Sequence, residues 1–342
     1  MTEFSHLIIF FFALMAISCS EVEEQIEQEE IDLTSSGSGE FGDPYIIDSA
    51  TEFLRMGTGR LNWDLDCHYK LAANITLKSE FTALGSESEP FTGVIDGDNY
   101  TVTGLTINKS TQSYQALIGY MGAGAEVRNL HLRDVNVLGN KYIGSFVGYN
   151  DGGTVTFCSA SGYVEGTGDY QSQENEGGNV GGLIGNNNVG TLTNSYNLCS
   201  VKGVATGVGG LVGKSYHATV ENCYNKGEVY GRMNYVAGLV GYNSSAYSTI
   251  RSCYTVGEIT AGTILTCGAL YGYNNLYGTV EYCYALEGSA DMLTAEGQGS
   301  AINSSFVGEE DMKSREFIAD LNSSAWAYDS LMVNGGYPIL VQ

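Results

Sequence analysis

From about Gln115 onward, apolar residues gather in runs of four to six closed by glycine, too short to make helices. Five of these runs align: Gly144-Ser145-Phe146-Val147-Gly148, Gly181-Gly182-Leu183-Ile184-Gly185, Gly209-Gly210-Leu211-Val212-Gly213, Ala237-Gly238-Leu239-Val240-Gly241 and Gly268-Ala269-Leu270-Tyr271-Gly272. Gln115 to Gly119 is a weaker sixth copy. The closing glycines stand at 119, 148, 185, 213, 241 and 272, so successive steps are 29, 37, 28, 28 and 31 residues. A second landmark keeps phase with them. Cys158, Ser195, Cys223, Cys253 and Cys283 follow their glycines by 10, 10, 10, 12 and 11 residues. In four copies the next residue is tyrosine, namely Tyr196, Tyr224, Tyr254 and Tyr284, and a Gly-x-Val/Ile run such as Gly227-Glu228-Val229 comes after it. Each period therefore holds three short β-like runs.

One such unit alone leaves its apolar face in water, and only stacking on its neighbours buries it. If successive units stack in register, each run pairs with its equivalent one period away, and a coil of about 28 residues rises about 4.8 Å. The expected fold is all-β, a parallel β-helix. An open solenoid would expose its core and two strand edges, so covered ends are expected. Ser49-x-x-Glu52 is a capping box opening a short helix that lays Phe53 and Leu54 over the first coil. Met312 to Leu321 is helical in pattern, and Trp326 with Tyr337 is expected to close the far end. Less regular first coils are expected between Tyr69 and Asn108.

At GGLVG…NCYNKGEV the chain resembles the GLUG-motif repeats of bacterial surface proteins, adhesin-like proteins and the non-catalytic parts of some immunoglobulin A1 proteases. The resemblance covers Gln115 to about Leu286, and the flanks Gly42 to Ile47 and Gly335 to Leu340 are similar to those of the same group. It implies a right-handed parallel β-helix with short helical caps at both ends, usually at the cell surface, and it supplies no catalytic set.

The amino terminus changes the picture from fold to address. Leu7 to Ile17 is too short to cross a bilayer as a helix but has the size of a signal-peptide core. Ala16-Ile17-Ser18-Cys19 resembles the lipobox of bacterial lipoproteins, which implies a lipidated Cys19. The acidic stretch behind it is similar to the signal that exports Bacteroidetes lipoproteins to the outer face of the outer membrane. The organisation expected is a signal peptide over 1–18, a disordered acidic tether over 19–40, a cap and first coils over 41–114, repeats over 115–290 and a final coil and cap over 291–342.

Composition narrows the partners. Lysine plus arginine number 15 against 39 acidic residues, a formal charge of −24, which excludes nucleic acid and contact with anionic lipid head groups through a basic patch. Membrane attachment is expected through the lipid alone, and the chain is expected to be a monomer without cofactors. The cysteines are not spaced in CxxC pairs, so a zinc site is not expected. Because Leu130 of Val127-x-x-Leu130 aligns with the cysteine landmark, Cys158, Cys223, Cys253 and Cys283 are expected to point inward as small hydrophobes. The tyrosine after each must then point outward. Tyr196, Tyr224, Tyr254 and Tyr284 are expected to form an exposed aromatic ladder able to stack on sugar rings or a partner surface.

The 37-residue step contains an insertion, Glu165 to Gly178, with Asp169, Glu174 and Glu176 as oxygen donors that match no calcium-loop spacing. Asp96-Gly97-Asp98-Asn99 reads as a tight turn. Histidines occur only at 6, 68, 131 and 217, none in HExxH, and neither a GxSxG elbow nor a phosphate loop lies at a strand-to-helix junction. Lys202, Lys214, Lys226, Arg232 and Arg251 are scattered over different coil positions. The expectation is a surface lipoprotein of the outer membrane acting as an adhesin or binding module for an extracellular glycan or a host or matrix protein, and not an enzyme. A carbohydrate-active β-helix enzyme, a polysaccharide lyase or a glycoside hydrolase, would need carboxylates and a base clustered on one face. A passive spacer would need neither.

Overall fold

The computed structural model of the chain describes residues 36–168, 178–204, 206–245, 247–262, 267–275, 278–290 and 301–341. It is a parallel β-solenoid. A nine-stranded sheet runs its length, starting at Tyr45–Ile47 and His68–Leu71 and ending at Thr249–Arg251 and Thr279–Glu281. A second sheet of six strands stacks Ile118–Met121 through Tyr271–Asn274, and a third, thirteen-stranded sheet closes the coil. Two-residue strands such as Val180–Gly181 and Val208–Gly209 form a small parallel sheet at one corner.

Register is held by inward columns. Tyr69, Ile95, Val127, Val155, Leu192, Val220, Ile250 and Val280 lie one above another on the first sheet. Ile118, Val147, Ile184, Val212, Val240 and Tyr271 do the same on the second. All are buried, and a one-residue slip of any coil would turn its whole apolar set to water. The closing glycines are fixed by crowding: a Cβ on Gly213 would sit 2.5 Å from the Gly185 carbonyl oxygen and 2.6 Å from the Val180 nitrogen. At Gly148 it would sit 2.7 Å from the carbonyl oxygens of Gly119 and Tyr142.

The cysteine column lies inside, as expected. Cys158, Cys223, Cys253 and Cys283 are free thiols in the main apolar core, as are Cys199 and Cys267. Burial pushes the Cys158 thiol up to about 12 and those of Cys253 and Cys283 well above their ordinary value. The coil also buries two amide ladders that the apolar pattern hides. Asn150 Nδ2 donates to Asn187 Oδ1 at 2.9 Å, and Asn197 Nδ2 donates to Asn225 Oδ1 at 2.8 Å. Each amide also holds the turn beyond it: Asn150 Oδ1 accepts from Gly153 N at 2.8 Å, and Asn197 Oδ1 from Cys199 N at 2.9 Å. These amides are tolerated in the core because a neighbour in register and the turn beyond satisfy them.

At the amino-terminal end the capping box forms as read: Ser49 Oγ accepts from Glu52 N, the Glu52 carboxylate accepts from Ser49 N, and Ala50–Phe53 is helical with Phe53 buried in the core. The other end departs from expectation. Ser305–Val307 adds a strand beside Tyr284–Leu286, with Phe306 packed on the core. Trp326 and Tyr337 do not lie over that end. They sit on the flank of the solenoid, where the segment from Glu309 to Val341, with one-turn helices at Glu309–Met312 and Phe317–Asp320, lies as a strap across the tyrosine column.

Candidate ligand-binding surface

Tyr196, Tyr224, Tyr254 and Tyr284 stand directly above one another and point away from the core. Tyr196 and Tyr224 stack at 4.6 Å and Tyr224 and Tyr254 at 5.0 Å, within 4° of parallel. The ladder exists, but the expectation that it is exposed is corrected: Tyr224, Tyr254 and Tyr284 are 5%, 0% and 8% exposed. A continuous outward aromatic strip is itself an apolar surface, and the strap removes it from water. Met312, Phe317, Leu321, Trp326 and Tyr337 pack on it as a second apolar cluster. Two of the buried phenols find partners in the strap: Tyr254 Oη donates to the Pro338 carbonyl at 2.6 Å and Tyr284 Oη to that of Asp320 at 3.1 Å. Trp326 Nε1 returns a bond to the Ser252 carbonyl at 3.1 Å, and Lys226 Nζ reaches both the carbonyl and Oδ1 of Asn334 at 2.9 Å. The buried Asp329 carboxylate shapes the strap's turn by accepting from the backbone of Val333, Asn334 and Gly336. Burial holds Tyr224 and Tyr254 well above the ordinary phenol range and Tyr284 at about 12. Of the four, Tyr196 alone keeps partial exposure, at the mouth of a cleft of about 290 Å³.

A second tyrosine array, not singled out from the sequence, lies on the outer side of the six-stranded sheet. Its register column reads Tyr120, Tyr149, Asn186, Lys214, Tyr242, Tyr273. Along the adjoining corner stand Tyr114, Tyr142 and Tyr235, with φ of 60°, 60° and 62°. In that left-handed region a bulky side chain costs about 1–2 kcal/mol. The rings meet: Tyr120 on Tyr149 at 4.9 Å, Tyr114 on Tyr142 at 5.0 Å and Tyr235 on Tyr242 at 4.7 Å, with Lys214 Nζ 5.9 Å from the Tyr242 ring. Except for Tyr142 these tyrosines are half-buried, and Tyr120 Oη donates to Asp151 at 3.3 Å. The signal was present as Tyr directly after four closing glycines, in Gly119-Tyr120, Gly148-Tyr149, Gly241-Tyr242 and Gly272-Tyr273. Further along the same coils, Tyr216 stacks on His217 at 4.1 Å and Tyr247 meets His217 edge-on at 5.1 Å.

The remaining candidates resolve into local structure. Asp96 accepts from Arg128 at 2.9 Å and from the Asp98 backbone at 3.0 Å, and Asp98 and Asn99 take left-handed φ as a tight turn demands. Asp169, Glu174 and Glu176 lie outside the described residues, as does Cys19. Among the described residues no group of three or more His, Cys, Asp or Glu is placed to hold a metal, and no helix is long and apolar enough to cross a membrane.

Residues 139–165 and 204–230 match the model of the GLUG motif. The chain carries GLUG repeats. Each matched GLUG segment begins beside the half-exposed array, passes through a closing glycine and ends past the cysteine landmark. Over 131 residues, 36% of the chain, the sequence is 30% identical to halomucin of Haloquadratum walsbyi. Over 118 residues, 31% of the chain, it is 29% identical to a protein of Evansella cellulosilytica provisionally described as a Gly-rich membrane protein. The chain spans 1% and 13% of the lengths of these two curated relatives. A crystal structure from Bacteroides ovatus, provisionally described as an immunoglobulin A1 protease, shares the fold with a TM-score of 0.66, covering 89% of this chain and 94% of that one at 21% identity. At that identity the likeness is one of fold.

Proposed function

We propose that this GLUG-repeat solenoid is a cell-surface binding module, held to the bacterial outer membrane through a lipid on Cys19, which engages an extracellular glycan or matrix protein through its half-exposed tyrosine array. The observation that carries this reading is the array itself. Tyr120, Tyr149, Tyr242 and Tyr273 keep ring surface toward solvent, while Tyr114, Tyr142 and Tyr235 hold a strained backbone to reach the same face. Aromatic surface on rigid strands suits sugar rings and extended chains. The names of halomucin and the Gly-rich membrane protein agree with an extracellular or surface setting.

An enzymatic reading is less well supported by the residues. Lys202, the lysine best placed beside a carboxylate and a phenol, lies 2.7 Å from Glu165, whose Oε2 accepts from Tyr163 at 2.8 Å. That carboxylate holds the ammonium above its ordinary pKa, the opposite of what a lyase base requires. Screening the protein on glycan and matrix-protein arrays tests the proposal, with Tyr120→Ala/Tyr149→Ala and Tyr242→Ala/Tyr273→Ala as probes. Binding that weakens about tenfold or more in a folded double variant sustains it. Undiminished binding in both removes the array as the site. Metabolic labelling with an alkyne fatty acid tests the anchor, since Cys19→Ala must lose the label.

A further inference from the structure

We propose that the gap one rung beyond Tyr196 is a separate binding site for a single neutral pyranose ring. The covered tyrosine column continues in register as Tyr284, Tyr254, Tyr224, Tyr196, Ser159, His131. Its rings repeat at 4.6–5.0 Å until Ser159 places a hydroxymethyl where a ring would stand. The column resumes one rung later with the His131 imidazole, whose Nδ1 lies 2.8 Å from Ser159 Oγ. With rungs roughly 4.8 Å apart, the His131 and Tyr196 positions are about 10 Å apart, which leaves depth for one ring between two flat faces.

The 290 Å³ cleft is bounded by His131 and Tyr196, the two residues that flank the Ser159 rung. Its walls include His131, Phe157, Asn194 and Tyr196 from the solenoid and Asn334 and Leu340 from the strap. Its lining holds no carboxylate and no ammonium, in a protein of charge −24, so the pocket takes a neutral occupant. Burial, with a smaller contribution from Arg133, pushes the imidazole's pKa down, which keeps His131 uncharged at neutral pH. A pyranose presents C–H groups to a tyrosine face and hydroxyls at its rim, where the Asn194 amide and the imidazole can reach them, the Asn334 amide being held by Tyr254, Pro338 and Lys226. A purely aromatic guest would leave those polar groups without a role. This site and the tyrosine array lie on different sheets, so each stands or falls without the other.

The test is saturation-transfer NMR and calorimetry of the protein with methyl glucoside, galactoside, mannoside and N-acetylglucosaminide, and with p-cresol as an aromatic control. At least one glycoside is expected to bind saturably at about millimolar concentration, the range of a single small contact surface. Ser159→Tyr, which supplies the missing rung, and Tyr196→Ala, which removes the lower face, are each expected to weaken that binding at least about tenfold. Tyr230→Ala, exposed and outside both the cleft and the array, is expected to leave it unchanged. No glycoside binding to the unaltered protein overturns the proposal, as does equal binding by folded Ser159→Tyr and Tyr196→Ala. Binding of p-cresol without any glycoside overturns the assignment to sugar. Loss in Tyr149→Ala alone moves the ligand to the array and discards the slot.

Discussion

Two columns of tyrosine climb this solenoid, one beside the cysteines and one beyond the closing glycines, and they are treated in opposite ways. The first is covered by the strap, with the phenols of Tyr254 and Tyr284 bonded to strap carbonyls. The second stays half in water, its rings stacked on one another and on corner tyrosines whose backbone is strained. Periodic tyrosine is therefore no measure of exposure. In a β-helix every outward column is solvent-facing until another segment lies on it, and that segment can come from far along the chain, as Pro338 does for Tyr254.

The contrast breaks most readily at Tyr254. Fully buried between Tyr224 and Trp326, its replacement by Ala is expected to cost about 3–5 kcal/mol in urea unfolding. A cost below that of Tyr149→Ala would abolish the distinction between covered and open columns. Alkaline pH offers the next largest effect. Burial raises the folded pKa of Tyr224 and Tyr254, whereas unfolded phenols ionise near pH 10. Below pH 10 both states are protonated and the contribution is intact. Above it the unfolded chain releases protons that the folded state keeps, so stability falls by about 1.4 kcal/mol per pH unit for each phenol. The buried thiols start the same decline from about pH 8.5. Denaturant titrations at pH 9 and 11 check this, and equal stability at both would show the column open to water.

Smaller effects sharpen the other side. Tyr149→Ala is expected to lower stability by less than about 1 kcal/mol while weakening array binding, a separation that the covered column cannot give. Tyr235→Gly relieves a left-handed φ of 62° but loses the stack on Tyr242, so a change in melting temperature near zero is expected with weakened ligand binding. A pronounced loss of stability there would make the corner tyrosine a packing residue instead.

Much of the architecture was legible in the residues because a solenoid is nearly one-dimensional. Contacts join equivalent positions one period apart, so the spacing of glycines and cysteines already encodes which residues touch. That logic correctly placed the inward thiols, the outward tyrosines beside them and the capping box at Ser49. It overlooked the amide ladders at Asn150 and Asn197, since buried amides break the apolar pattern and are stable only because a copy in the next coil completes their hydrogen bonds. It also missed the second tyrosine array, whose side of the sheet follows from the pleat but whose corner partners depend on backbone angles.

What the repeat determined by itself, then, was register and the side of the sheet to which each column turns, because both follow from local geometry repeated at a fixed step. The placing of the strap was decided by tertiary structure alone. Segments after Glu309 share no period with the coils, and their position comes from complementary apolar surface and from bonds such as Lys226 to Asn334, which span 108 residues. Whether a tyrosine meets water or Trp326 is therefore set by a contact that no spacing within the repeat contains.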